Sequence, residues 1–94
     1  MRLVEFEWDA EKSTQNRIRH GIDFDESREV FDDDLAIVRF DAEHSDMEQR
    51  FIIVGRSKRG RTLVTIFVER GTVIRIISSR RATRREARDY EEGV

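Results

Sequence analysis

The sequence predicts an α+β domain with a mainly antiparallel sheet of four to five strands, two N-terminal helices and one C-terminal helix. Three observations carry this. Apolar runs of strand length recur along the chain, first alternating and later nearly continuous. Helix start and stop signals bracket three other stretches. The links between the last three strands are hairpin-short, which makes that part of the sheet antiparallel. The order is β-α-α-β-β-β-β-α, with the helices expected on one sheet face. The 94 residues fit one domain, 1–94.

Leu3-Val4-Glu5-Phe6-Glu7-Trp8 alternates like a half-buried strand. Asp9 is placed to cap a helix over roughly residues 10–20, and Gly21 to end it in the left-handed conformation. Phe24 to Phe31 reads as a second short helix with Phe24, Val30 and Phe31 buried, ended by Asp32-Asp33-Asp34. Leu35 to Phe40 is a strand, and Asp41 to Glu48 a polar loop. Strands over Arg50–Arg56 and Thr62–Glu69 flank a basic turn, Ser57-Lys58-Arg59-Gly60-Arg61. A turn at Gly71-Thr72 leads to the last strand, Val73–Ser78. Thr83-Arg84-Arg85-Glu86 matches a capping box that opens a helix to about Glu92, along which Arg85–Asp89 and Arg88–Glu92 are spaced to pair.

Composition narrows the function. The net charge of −2 conceals a division: residues 1–50 hold 7 Lys/Arg against 15 Asp/Glu, and residues 51–94 hold 11 against 5. A cationic surface beside an acidic counterweight suits a polyanionic ligand. The absence of cysteine excludes disulfides and thiolate metal sites and points to a reducing cytoplasm. No apolar run is long enough to suggest a membrane span or a signal peptide. Asp32-Asp33-Asp34 does not read as a metal site, because adjacent carboxylates do not converge on one ion without spaced partners. No cofactor or metal is expected.

The densest signal is Arg75 through Glu86. Arginine inside a β-branched strand is costly unless an anion meets it, and its planar donor fork suits phosphate oxygens. Together with Phe6-Glu7-Trp8-Asp9, Lys12, Asn16, Arg19-His20-Gly21, Val30-Phe31-Asp32-Asp33, His44-Ser45, Glu48, Arg50, Gly60-Arg61 and Tyr90-Glu91, this segment resembles the BrnT family of toxins. The chain departs from the family pattern at Asp34, Ser79 and Arg19, none of which removes a reactive group. The resemblance implies a RelE-like fold and a type II toxin that blocks translation by cleaving RNA. It also implies a ribbon-helix-helix BrnA-type antitoxin as partner, with operator DNA reached only through that antitoxin.

RNA cleavage through the 2′-hydroxyl needs a base at that oxygen, positive charge on the phosphorane and an acid at the departing 5′-oxygen. Arg75, Arg80 and Arg61 are candidates for the positive charge and His44 for acid–base work. Arg75 is expected on the strand face shared with Val73 and Ile77. Lys12, Lys58, Arg59 and Arg84 are candidate RNA contacts. His20 reads as structural, since it sits at a helix C-terminus where a cationic ring meets the dipole favourably. Tyr90 reads as packing the last helix on the sheet. Two other functions compete with a metal-independent endoribonuclease: a non-catalytic co-repressor acting through its antitoxin, and a plain RNA-binding module.

Overall fold

A computed structural model of the chain describes residues 4–93. The elements are β1 (Glu5–Glu7), α1 (Ala10–His20), α2 (Phe24–Glu29), β2 (Ile37–Phe40), β3 (Phe51–Arg56), β4 (Thr62–Arg70), β5 (Val73–Arg81) and α3 (Arg84–Glu92). One-turn 3-10 segments follow α2 at Val30–Asp32 and interrupt the polar loop at Ala42–His44. Leu3, placed in the first strand from its alternation, lies outside the described residues. The sheet order is β1-β5-β4-β3-β2, antiparallel except for β1, which pairs with β5 in parallel.

Local chemistry explains the helix ends. The Asp9 side chain accepts from the amides of Glu11 and Lys12, and Gly21 closes α1 at φ 74°. The capping box forms as expected: the Glu86 amide donates to Thr83 Oγ1, and the Thr83 amide to the Glu86 carboxylate. The pairs Arg85–Asp89 and Arg88–Glu92 do not form among the described residues. Gly55 has a packing reason: a Cβ there would stand 3.1 Å from the Val30 carbonyl oxygen and from Ala36 Cβ. Only a glycine lets the turn after α2 lie this close to β3.

The core gathers on one sheet face. Ile53, Leu63 and Phe67 pack with Ile22 and Val30, backed by Phe31, Phe51 and Ile74. Phe31 meets Phe6 and Phe67 edge-on, with ring centroids 5.1 and 5.0 Å away. The expectation that all helices share this face is corrected. α3 lies on the opposite face, where Tyr90 sits beside Ile37, Arg39 and Val54. Strands β3 and β4 are apolar on both faces, and such strands need cover on both. The Tyr90 hydroxyl donates to Asp33 Oδ2, which also accepts from the Arg56 amide at 2.8 Å. Burial pushes the Asp33 carboxyl up, but these bonds outweigh it and its pKa is lowered.

β5 runs three residues past its expected end at Ser78 and carries a bulge. Ile66 faces Ser78 while Phe67 faces Ile76, so Ile77 has no opposite number. Regular alternation would put Arg75 and Arg80 on opposite faces. The extra residue resets the phase, and the two face Val68 and Val64 on one side of the sheet. Ile77, the unpaired residue of the bulge, borders the groove beside α1 together with Ser78.

Two ion pairs fasten the layers. Glu26 on α2 is wholly buried at its side chain and accepts from Ser57 Oγ at 2.8 Å and Arg61 Nε at 2.9 Å. Arg61 Nη2 bonds its other oxygen and also the Gly21 carbonyl oxygen, at 3.1 Å. The Arg61 guanidinium holds the Glu26 carboxyl below its usual range despite burial. On the other face Arg80 grips Glu86 through two bonds of 2.7 and 2.9 Å, joining β5 to the first turn of α3. Arg80 holds the Glu86 pKa down at about 2.

Arg61→Ala should lower unfolding free energy by about 3–5 kcal/mol, because it strands a buried carboxylate; urea denaturation measures this. The Glu86 pKa is depressed on folding, so its stabilisation is complete above pH 4.5 and is lost as pH falls toward about 2. In acid titrations followed by circular dichroism, Glu86→Gln should therefore flatten the stability change across that window.

Candidate active site

The face of the sheet that carries α3 is only partly covered. Between α3 and the 41–50 loop it forms an open cleft of about 350 Å³, within the size range of small-ligand sites. Its floor is made by Ile52, Val64 and Ile66. Its charged and titratable lining is His20, Arg39, Asp41, Glu43, His44 and Arg80, with Ser78 and Ser79 beside them.

Each lining group has a local reason for its position. Arg39 and Arg80 project from β2 and β5 on the same side, by the register of their strands. His44 ends the 3-10 turn of the loop. That loop is closed by the Asp41 amide on the Arg50 carbonyl at 2.8 Å and by the Arg50 amide on Ser45 Oγ at 2.9 Å. Glu48 ties it to Arg70 on β4 with two bonds of 3.2 Å. Asp41 is buried, and its carboxylate lies 3.0 Å from His44 Nδ1. His20 reaches the cleft from the last turn of α1, which runs beside the part of β5 that β1 leaves unpaired. Asn16 binds α1 there: its Nδ2 donates to the Ser79 and Ile22 carbonyls, both at 2.8 Å, and the Ser79 amide donates to its Oδ1 at 3.3 Å.

Arg80 is held without being used up. Nη1 and Nη2 both donate to Glu86, and Nη1 also donates to the Arg81 carbonyl. Among the described residues, Nε–H and the second Nη2–H have no partner. These two donors form the other fork of the guanidinium, the geometry that grips a phosphate.

The candidates from the sequence therefore divide. Arg80 and His44 come together in the cleft. Lys12 lies in a groove between α1 and β5 that joins the cleft through His20 and Ser78. Arg84 is exposed on the first turn of α3. Arg75 is on the cleft face but about 15 Å along the strand, and pairs with Glu7 at 3.4 Å. Arg61 is not in the cleft; it is spent on Glu26 and the α1 terminus. Arg59 also reaches Glu26, at 3.4 Å, and Lys58 is exposed at the same hairpin tip. The basic turn is thus directed at α2.

Arg39 and Asp41 were not among the candidates from the sequence, and His20 was considered there but read as structural. Arg39 carries the same signal as Arg75, an arginine within an apolar strand, and was legible on that ground. Asp41 was not, because its significance lies in what the fold brings to it, and the place of His20 in the cleft likewise comes from the fold. Among the described residues, no group of three or more His, Asp or Glu side chains is placed to hold a metal ion, and no helix is long and apolar enough to cross a membrane.

Comparison with known proteins agrees with this architecture. The crystal structure of the Brucella abortus ribonuclease toxin BrnT superposes with a TM-score of 0.67 at 24% identity, covering 87% of this chain and 100% of that one. At that identity the likeness shows the fold. No curated protein matches the chain. The family described as ribonuclease toxin, BrnT, of type II toxin–antitoxin systems matches residues 8–86. That match spans most of the chain, and the chain belongs to the BrnT family of ribonuclease toxins.

Proposed function

We propose that the cleft between α3 and the 41–50 loop is where this toxin cleaves RNA, without a metal ion, through attack of a 2′-hydroxyl on the adjacent phosphate. The observation that carries this is the convergence of Arg39, His44 and Arg80 from three separate elements onto one open surface. The free fork of Arg80 grips the scissile phosphate, and Arg39 adds a second positive charge across the cleft. Both stabilise charge that grows on the phosphoryl oxygens as the phosphorane forms. His44 supplies an imidazole, a side chain able both to take and to give a proton.

The groove along α1 extends this surface. Lys12 and Arg19 line it and make no ion pair among the described residues. Their spacing of seven residues is two helical turns, about 10 Å, and they suit successive phosphates of a single strand. Arg84 at the start of α3 suits a phosphate on the other side. The cost of such cleavage to the cell is blocked translation. A type II toxin implies an antitoxin; we propose one of ribbon-helix-helix type that covers the cleft and brings the pair to operator DNA.

Arg80→Ala should lower kcat/KM on single-stranded RNA by about two to three decades, while Glu86→Gln, which keeps the guanidinium, should retain most activity. Equal losses in both would make the pair structural. Products of the wild-type chain should carry 2′,3′-cyclic phosphate, and cleavage should persist in excess chelator. Termini bearing 5′-phosphate, or arrest by chelator, would overturn the metal-independent route.

A further inference from the structure

The two histidines of the chain line the same cleft, although one ends the first helix and the other sits in a loop beyond β2. Their settings differ. His44 presents Nδ1 to the buried Asp41 carboxylate at 3.0 and 3.2 Å. A carboxylate only accepts hydrogen bonds, so this contact requires a proton on Nδ1. In the neutral ring Nε2 is then the acceptor. His20 makes no hydrogen bond or ion pair with its ring among the described residues, and it stands where the cleft meets the α1 groove. The other charged groups facing the cleft are Arg39, Glu43 and Arg80. Asp46, Glu48 and Arg50 flank His44 on its outer side, and Lys12 and Arg19 flank His20.

Resting on the reading of the cleft as the cleavage site, we propose that it is a two-histidine acid–base site, with Asp41 as the positioning residue of His44. The 2′-hydroxyl gives its proton to His44 Nε2 as the 2′-oxygen bonds to phosphorus. The bond from phosphorus to the 5′-oxygen breaks, and that oxygen takes a proton from His20. The products are a 2′,3′-cyclic phosphate and a 5′-hydroxyl, and the two rings return to their starting states by exchange with solvent. A carboxylate behind a base fixes both its tautomer and its orientation, which a loop histidine otherwise lacks. Asp41 is suited to this because its own backbone is held by the bonds that close the loop.

The test combines kinetics with a spectroscopic readout. With single-stranded RNA of mixed sequence, kcat/KM of the wild-type chain should trace a bell against pH. His44→Ala and His20→Ala should each lower it by about 100- to 10,000-fold, the first removing the limb that rises with pH and the second the limb that falls. RNA in which sulfur replaces the bridging 5′-oxygen needs no proton on its leaving group. It should restore His20→Ala and leave His44→Ala impaired. Asp41→Asn should lower kcat by about tenfold or more with little change in KM. Nitrogen-15 correlation spectra of the RNA-free protein should show neutral His44 protonated at Nδ1, and at Nε2 once Asp41 is replaced by Ala. Wild type that cuts RNA while His20→Ala keeps a full bell, or a wild-type His44 protonated at Nε2, overturns the two-histidine site and leaves the cleft as the site of cleavage. Wild type with no cleavage of any RNA overturns both.

Discussion

The buried carboxylate of Glu26 is the constraint on which the arrangement of this toxin depends. A charge with no exposure must be met in place, and it is met from several directions: by Ser57 and Arg61 on the two sides of the β3–β4 turn, and more distantly by Arg59. The same Arg61 guanidinium holds the Gly21 carbonyl at the end of α1. One cation thereby sets α2, the hairpin turn and the α1 terminus relative to each other. Apolar packing of equal volume can match such a pair in stability. It has no comparable directionality, and three elements joined by loops need an angular constraint.

The cleft inherits that constraint. His20 is the residue before Gly21, so the bond that fixes α1 also fixes the approach of its last side chain to the sheet. Asn16 completes the placement by filling the hydrogen-bonding edge of β5 beyond the reach of β1. On the other rim, Glu86 serves two ends at once. Its carboxylate caps α3 and orients Arg80, with the result that helix start and cationic fork are one unit. Neither arginine emphasised for its place in the sequence, Arg75 or Arg61, stands in the cleft. Each already has an acidic partner from the first half of the chain. The charge division along the sequence is partly neutralised across the fold, where Arg59, Arg61, Arg70 and Arg75 meet Glu7, Glu26 and Glu48. Around the cleft, the cations left open to a polyanion are Arg39, the free edge of Arg80, those along α1, and Arg84 at the start of α3.

A BrnT-family toxin of this construction acts with small means. The sheet is short and much of its cleft face stays open, which suits a substrate whose bases stack outward while its backbone is gripped. The groups available for chemistry come from a strand, a loop and a helix terminus. Their relative positions are set by hydrogen bonds made outside the cleft, by Asn16, Asp41, Arg61 and Glu86.

Much of this was legible in the residues. Caps at Asp9 and Thr83, the glycine that ends α1, and the apolar alternation give the elements and their order, because these depend on neighbours within a few positions. The motif blocks give the family. Arg80, His44 and Lys12 were visible as candidates, since their chemistry is intrinsic. The rest needed the tertiary structure. The bulge at Ile77 comes from pairing with β4, and it alone brings Arg80 onto the face of Arg75. The side of the sheet taken by α3 follows from which face the first two helices leave open. Arg61 and His20 lie elsewhere than their residue types suggest, because remote partners set their surroundings: a buried carboxylate engages one, and the other lines an open cleft. Sequence determines which groups exist and how the chain starts and stops its helices; distance between remote segments decides which of those groups meet.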